Sequence, residues 1–162
     1  MKKKIAILGS TGSVGKTTFN ILKKNFKDFK VELLTTNKNI NEILKQAKIL
    51  KVKNIIISNR KHYLKSIKKK YKNIKIYNSL NDINKIIKKK LDYCMCSITG
   101  LAGLKSTLSV IKLTKKIAIA NKESIICAWN LIEKELKKNK TKFIPVDSEH
   151  FSIWSLINNS EG

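Results

Sequence analysis

The chain has 162 residues, of which 42% are hydrophobic, enough to bury the core of one domain with the start of a second. Its 35 basic and 11 acidic residues give a formal charge of +24. A charge of this size favours a polyanionic partner, but lysine is spread along the whole chain rather than clustered. We therefore attribute the charge to overall composition and expect no specific nucleic-acid partner. No apolar run approaches the roughly 20 residues of a membrane-spanning helix, so we expect no membrane association.

The three cysteines, Cys94, Cys96 and Cys127, are too few for a disulfide framework. Cys94 and Cys96 lie two residues apart in an apolar run, so their side chains should share one face of a strand. A zinc site would need more ligands, and we expect free, buried thiols instead. The apolar run after Lys2–Lys4 has about five residues, too short for a signal peptide. These features predict a cytoplasmic protein.

Seven short apolar runs, rich in β-branched residues, predict strands along the chain. They cover residues 5–8, 31–34, 55–57, 74–77, 93–98, 117–120 and 143–146. Segments with apolar residues spaced three and four apart lie between them and predict amphipathic helices, for example at 19, 21, 22 and 26, and at 40, 43, 44 and 47. The alternation of strand and helix predicts an α/β fold, a Rossmann-like, doubly wound and mostly parallel sheet.

A glycine-rich turn, Gly9-Ser-Thr-Gly-Ser-Val-Gly15, follows the first predicted strand and opens a helix. Glycines in this position permit a tight turn and let the backbone approach a pyrophosphate at the helix N-terminus. The alternative is a nucleoside-triphosphate P-loop, because Gly15-Lys16-Thr17 matches the end of that motif. A P-loop also requires glycine at position 10, where the chain has serine. The spacing therefore favours a dinucleotide-binding turn.

The end of the second predicted strand bears on the choice between NAD and NADP. NAD sites place an acidic residue there to hold the ribose 2′-hydroxyl. The chain has Asn37-Lys38-Asn39 at this point, and Glu32 lies at the opposite end of the strand. Lys38 can instead meet a 2′-phosphate, and this favours NADPH.

Two later segments also follow predicted strands. Asn121-Lys122-Glu123-Ser124 brings an amide, an ammonium and a carboxylate to the edge where parallel sheets bind ligands, with a solvated helix cap as the alternative. Asp147 and Glu149 lie two residues apart in an extended stretch and suit a hard divalent cation. A helix N-cap at Asp147 or Ser148 is the alternative there.

Together with Cys96-Ser-Ile-Thr-Gly-Leu-Ala-Gly-Leu104, these motifs resemble the 1-deoxy-D-xylulose 5-phosphate reductoisomerases in order and approximate spacing. The resemblance implies conversion of that phosphosugar to 2-C-methyl-D-erythritol 4-phosphate for isoprenoid synthesis. It further implies NADPH and Mg²⁺ or Mn²⁺ as cofactors, and a homodimer. Asn37 stands where many members have glycine, so a loop that required positive φ would be affected.

The resemblance also implies a role for each matching residue. The cofactor-binding residues it implies are Thr11, Gly12, Ser13 and Val14 at the phosphates, Asn37, Lys38 and Asn39 at the 2′-phosphate, and Asn121 and Glu123 on the nicotinamide side. The implied substrate contacts are Lys122, Ser148 and Glu149, the metal ligands are Asp147 and Glu149, and the catalytic residues are Lys122 and Glu149. His150 is expected to be structural.

We expect two parts in this chain. Residues 1–146 should form an NADPH-binding Rossmann-like domain, and residues 147–162 should begin a truncated catalytic domain. Family members use a third carboxylate ligand and a lid over the substrate, and the 162 residues contain no counterpart of either. We expect the chain to bind NADPH at best and not to catalyse the reaction by itself.

Overall fold

Seven parallel strands form one sheet within residues 1–146, the part of the chain that this computed structural model describes. The strands are β1 (Lys3–Leu8), β2 (Phe29–Thr36), β3 (Asn54–Ile57), β4 (Lys75–Tyr77), β5 (Tyr93–Cys96), β6 (Lys116–Ile119) and β7 (Lys142–Pro145). Their spatial order is β4-β3-β2-β1-β5-β6-β7. All seven predicted strands are present. The fifth ends at Cys96 rather than at Ile98, and the hydroxyl of the next residue, Ser97, donates to the carbonyl oxygen of Leu8 at 2.8 Å.

Six helices connect the strands. They are α1 (Ser13–Lys24), α2 (Ile40–Ile49), α3 (Arg60–Ile67), α4 (Ile83–Ile86), α5 (Gly100–Ile111) and α6 (Lys122–Asn139), with a short 3-10 turn at Leu80–Asp82. Helix α1 buries Phe19 and Leu22 as its spacing predicts. Ile21 is instead 54% exposed, because a residue next to Leu22 is rotated onto another face of the helix. Helix α6 is kinked at Ala128, whose φ of −139° is not helical.

The sheet carries a hydrophobic core on each face. Along β1, Ile5 and Ile7 enter one core, whereas Ala6 and Leu8 enter the other. Side chains of a strand alternate between the faces of a sheet, so a strand covered on both sides must be apolar throughout. This accounts for the continuous apolar runs in the sequence and confirms the α/β class.

Charged and sulfur-containing side chains mostly follow the sequence expectations. The lysine runs Lys68–Lys70 and Lys88–Lys90 are exposed and come just after α3 and α4. Cys94 and Cys96 are buried, with their Sγ atoms 3.9 Å apart, and burial raises the pKa of the Cys94 thiol. Cys127 is exposed on α6, so the expected burial is found for Cys94 and Cys96 but not for this third free thiol. No helix within residues 1–146 is long and apolar enough to cross a membrane.

Candidate functional site

The centre of the sheet contains the point at which the strand order reverses. Strand β1 pairs with β2 on one side and with β5 on the other, and all three are parallel. The loops that follow β1 and β5 therefore leave the same edge of the sheet and turn towards opposite faces. Open α/β sheets bind ligands in the crevice at such a point.

The loop after β1 depends on glycine at two positions. Gly9 has a φ of +84°, and a Cβ atom there would lie 2.8 Å from the carbonyl oxygen of Ser97. A Cβ atom at Gly15 would lie 2.2 Å from the carbonyl oxygen of Gly9, so the first turn of α1 packs directly on this loop. Gly12 has more room and is the N-cap of α1, where no side chain caps the helix. The backbone amides at the start of α1 therefore have no side-chain cap, and uncapped amides at a helix N-terminus can bind an anion.

Hydroxyl groups at the end of β2 hold this glycine turn in place. The amide of Gly9 donates to Thr35 Oγ1 at 2.8 Å, and the hydroxyls of Thr11 and Thr36 are 2.7 Å apart. On the other side, Gln46 Nε2 donates to the carbonyl oxygen of Ser10 at 3.0 Å. Sequence analysis missed these supports. The only available signal was the pair of hydroxyl residues at the carboxyl end of a predicted strand.

A cleft of about 270 Å³ opens above the turn and brings together parts of the chain that are far apart in sequence. Its walls come from the loops after β1, β2, β3 and β5, together with Leu80 and Ala102. The lining residues are Gly9, Thr11, Gly12, Thr35, Thr36, Asn37, Ser58, Leu80, Ser97, Ile98, Thr99 and Ala102. None of them carries a formal charge, so no carboxylate in the cleft wall would repel a phosphate.

The loop Asn37–Asn39 is exposed beside this cleft. Asn39 caps α2 by accepting from the amide of Glu42 at 3.2 Å, and its own amide donates to Thr36 Oγ1 at 3.3 Å. Asn37 does not have a positive φ. The loop therefore forms without the left-handed conformation that would require glycine at position 37. Lys38 is solvent-exposed on this loop, and the side chains of the loop include no carboxylate.

The segment at the start of α6 lies across the crevice, after β6. Asn121 is only 2% exposed and caps the helix by accepting from the amide of Ser124 at 3.0 Å. Its Nδ2 group donates to the carbonyl oxygens of Ile98 and Gly100, at 2.8 and 2.9 Å. Lys122 and Glu123 are exposed. The cap interpretation is thus correct for Asn121, and its amide is used within the protein.

The predicted metal and substrate residues Asp147, Ser148 and Glu149, together with His150, lie outside the described residues. The described chain reaches Val146 just after β7, which pairs with β6 in parallel, so it leaves the sheet at the same edge as the other loops. No group of three His, Cys, Asp or Glu residues that could hold a metal ion occurs among residues 1–146.

Comparison with known proteins gives a consistent result. The family model described as 1-deoxy-D-xylulose 5-phosphate reductoisomerase matches residues 5–129. The 1-deoxy-D-xylulose 5-phosphate reductoisomerase of Pelagibacter ubique (strain HTCC1062) is 55% identical over 162 residues, covering 98% of this chain and 42% of that protein. The chain thus spans about two fifths of the length of the relatives that it matches.

Solved structures agree with the fold. The Zymomonas mobilis reductoisomerase in complex with NADPH superimposes with a TM-score of 0.86 at 30% identity, over 93% of this chain and 40% of that one. A DOX-P reductoisomerase in complex with NADPH, fosmidomycin and magnesium gives a TM-score of 0.83 at 30% identity, over 91% of this chain and 37% of that one. The match of the family model over residues 5–129 shows that this chain belongs to the 1-deoxy-D-xylulose 5-phosphate reductoisomerase family.

Proposed function

We propose that residues 1–146 form the NADPH-binding domain of an enzyme that converts 1-deoxy-D-xylulose 5-phosphate to 2-C-methyl-D-erythritol 4-phosphate, a step in isoprenoid precursor synthesis. The observation that carries this proposal is the uncharged cleft at the reversal of strand order, which joins the glycine turn to Asn37. Support also comes from relatives of that name and from a similar structure in complex with NADPH.

The pyrophosphate of the cofactor is proposed to bind at the start of α1, on the backbone of Thr11, Gly12, Ser13 and Val14. The helix has no side-chain cap at Gly12, and its first amides point out of the helix end. The partial positive charge at a helix N-terminus favours a phosphate there. Gly9 and Gly15 allow the close packing that this geometry needs.

The adenosine half is proposed to extend over β2, with its 2′-phosphate on Asn37, Lys38 and Asn39. Lys38 is exposed on a loop without carboxylates, so a phosphate there meets a positive charge and no negative charge from the loop itself. Because the loop has no carboxylate, it also lacks the acidic residue that would bind a free ribose 2′-hydroxyl. NADPH should therefore bind more tightly than NADH.

The nicotinamide half is proposed to lie on the other side of the crevice, near Asn121 and Glu123. A dinucleotide bound across the reversal point places its two halves on opposite sides of β1. Lys122 is the proposed catalytic and substrate-binding residue on this side, where its ammonium stabilises negative charge on a reacting oxygen. The bound nicotinamide supplies hydride chemistry when the cofactor is present.

Residues 147–162 are proposed to begin the catalytic domain. Asp147 and Glu149 are the proposed ligands of a divalent cation, because paired carboxylates suit Mg²⁺ or Mn²⁺. Such a cation acts as a Lewis acid towards substrate oxygens. Ser148 and Glu149 are the proposed substrate contacts. The magnesium complexes of similar proteins support this part of the proposal.

We also propose that the protein works in the cytoplasm and as a homodimer, without a nucleic-acid or membrane partner. The three cysteines are free, including the neighbouring pair Cys94 and Cys96, and this fits a reducing compartment. Fosmidomycin bound to similar reductoisomerases supports a small-molecule substrate.

A binding experiment tests the cofactor assignment. We expect NADPH to bind the purified chain and to raise its melting temperature, with NADH weaker and ATP without effect. Lys38→Met should weaken NADPH binding by roughly tenfold and leave NADH binding unchanged, because only NADPH carries the 2′-phosphate. The matched control is Lys48→Met, the same charge change on the exposed far end of α2. Stabilisation by ATP in place of NADPH would instead support the P-loop alternative.

A further inference from the structure

The side chain of Asn121 lies where three segments of the chain meet. They are the end of β6, the loop Ile98–Gly100 after β5, and the first turn of α6. Its carboxamide makes one hydrogen bond to α6, through the amide of Ser124, and two to the carbonyl oxygens of the loop. A single side chain thus ties the loop to the helix.

The hydrogen-bonding capacity of this side chain is almost fully used. An asparagine amide has two N–H donors, and both go to loop carbonyl oxygens at 2.8 and 2.9 Å. The Oδ1 atom already accepts from Ser124, and the residue is 2% exposed. Burial of a polar group costs free energy unless it is hydrogen-bonded, so release of this amide towards a ligand would break two partly buried hydrogen bonds.

Gly103 on α5 supplies the space that this arrangement needs. A Cβ atom there would lie 2.2 Å from Asn121 Nδ2 and 2.0 Å from the carbonyl oxygen of Ile98. Gly103 is buried and its φ is not positive, so the requirement is for space rather than for an unusual backbone conformation. Any side chain at position 103 must displace the amide or the loop.

One of the two segments joined by Asn121 lines the cleft, and the other carries residues proposed to lie near the nicotinamide. Ile98 and Thr99 line the cleft together with the glycine turn. Lys122 and Glu123 directly follow Asn121 in the chain and open α6. They lie on the β5–β6 side of the reversal point, away from the loop Asn37–Asn39.

We propose that Asn121 is a positioning residue for the nicotinamide half of the cofactor, and that it acts by fixing the Ile98–Gly100 loop against the start of α6 in the space left by Gly103. The resemblance alone assigns Asn121 as a direct cofactor contact. This inference rests on the proposed function, because it needs NADPH to occupy the cleft.

The Asn121→Ser variant separates the capping of α6 by Asn121 from its hydrogen bonds to the loop. Serine still caps a helix but cannot donate to both loop carbonyls. The affinity of the chain is measured for NADPH and for 2′,5′-ADP, which contains only the adenosine half. We expect NADPH affinity to fall by roughly tenfold and 2′,5′-ADP affinity to change by less than about twofold. The matched control, Asn139→Ser at the far end of α6, should leave both affinities unchanged.

Hydrogen exchange without ligand distinguishes positioning from direct contact. If Asn121 holds the loop, the amides of residues 97–103 should exchange at least about tenfold faster in Asn121→Ser, before any cofactor is added. A direct contact predicts no such change. Gly103→Ala should reproduce both effects, and the double variant should be little worse than either single variant, because the two changes break one interaction.

Three results would overturn the inference: unchanged exchange in the loop, equal loss of NADPH and 2′,5′-ADP affinity, or unchanged NADPH affinity. A measurement on the unmodified chain covers the case in which the variants do not fold. The Asn121 side-chain NH₂ protons should exchange slowly by NMR in the free chain. Fast exchange would contradict the inference that Asn121 holds the loop. If the unmodified chain binds neither NADPH nor 2′,5′-ADP, the proposed function itself fails.

Discussion

Gly9 and Gly12 belong to the same turn but meet different constraints. Gly9 combines a left-handed φ with a carbonyl oxygen 2.8 Å from the position of a Cβ atom. Gly12 has an extended conformation, and its nearest neighbour would be 3.5 Å from a Cβ atom. The two glycines of the motif therefore have different structural roles. Gly9 shapes the turn, whereas Gly12 leaves the start of α1 open to a ligand.

Substitution by alanine should separate these purposes. Gly9→Ala should lower the free energy of unfolding by about 2 kcal/mol or more, because it adds both backbone strain and a steric clash. Gly12→Ala should cost no more than about 1 kcal/mol. Urea unfolding of the two variants and the unmodified chain measures both values. Equal losses would contradict the role of Gly9 in shaping the turn.

At the scale of elements, the two ends of the strands differ. Loops form the site at the carboxyl ends, whereas charged residues connect neighbouring strands at the amino ends. Asp92 precedes β5 and accepts from the amide of Lys4 in β1 at 2.8 Å, and from Lys115 Nζ beside β6 at 2.8 Å. These bonds connect the three adjacent strands β1, β5 and β6 at the edge away from the cleft. The hydrogen bond from Lys115, followed by that from Lys4, lowers the pKa of Asp92 below its ordinary value of 3.8.

The lowered pKa predicts a pH-dependent contribution to stability. The contribution is present above about pH 4 and is lost as pH falls through the folded-state pKa, because the unfolded chain binds the proton first. The Asp92 side chain is 30% exposed, so water screens the pair and Asp92→Asn should cost under about 1 kcal/mol at pH 7.

Urea unfolding at pH 7 and near pH 2 checks this contribution. The difference between the unmodified chain and Asp92→Asn should disappear in acid. Asp82→Asn is the control, since Asp82 pairs with Lys85 within one turn and this local pair should matter less. A difference that persists at low pH would exclude the charged pair as its origin.

At the scale of the whole molecule, the charge of +24 comes from lysines spread along the whole chain rather than from one cluster. Its lysines are mostly exposed, and the cleft itself is lined by uncharged residues. A diffuse charge attracts polyanions by releasing counterions, which makes that attraction depend steeply on salt.

Binding to duplex DNA should therefore be detectable at low salt and should weaken by about 10³-fold or more between 50 and 200 mM salt. NADPH binding should change far less over this range, because it involves few charges. Fluorescence anisotropy with labelled DNA, alongside an NADPH titration, measures both. Tight DNA binding that survives at physiological salt would instead support a basic nucleic-acid-binding protein.

The linear sequence determined the local features of this protein. Apolar runs specify the seven strands, because strands buried on both faces must be apolar along their length. The spacing of Gly9, Gly12 and Gly15 similarly separates a dinucleotide turn from a P-loop, since each loop has a fixed number of backbone amides.

Only the tertiary structure decided which residues support the site. Thr35 belongs to no motif, and the motif that contains Ser97 and Gly103 does not reveal their partners; each of the three matters through an atom that is distant in sequence. It also decided that the Asn121 amide is turned inwards, because its partners Ile98 and Gly100 are 23 and 21 residues away. Local patterns encode strand, helix and turn, whereas the partner of a buried polar group is set by how the chain packs.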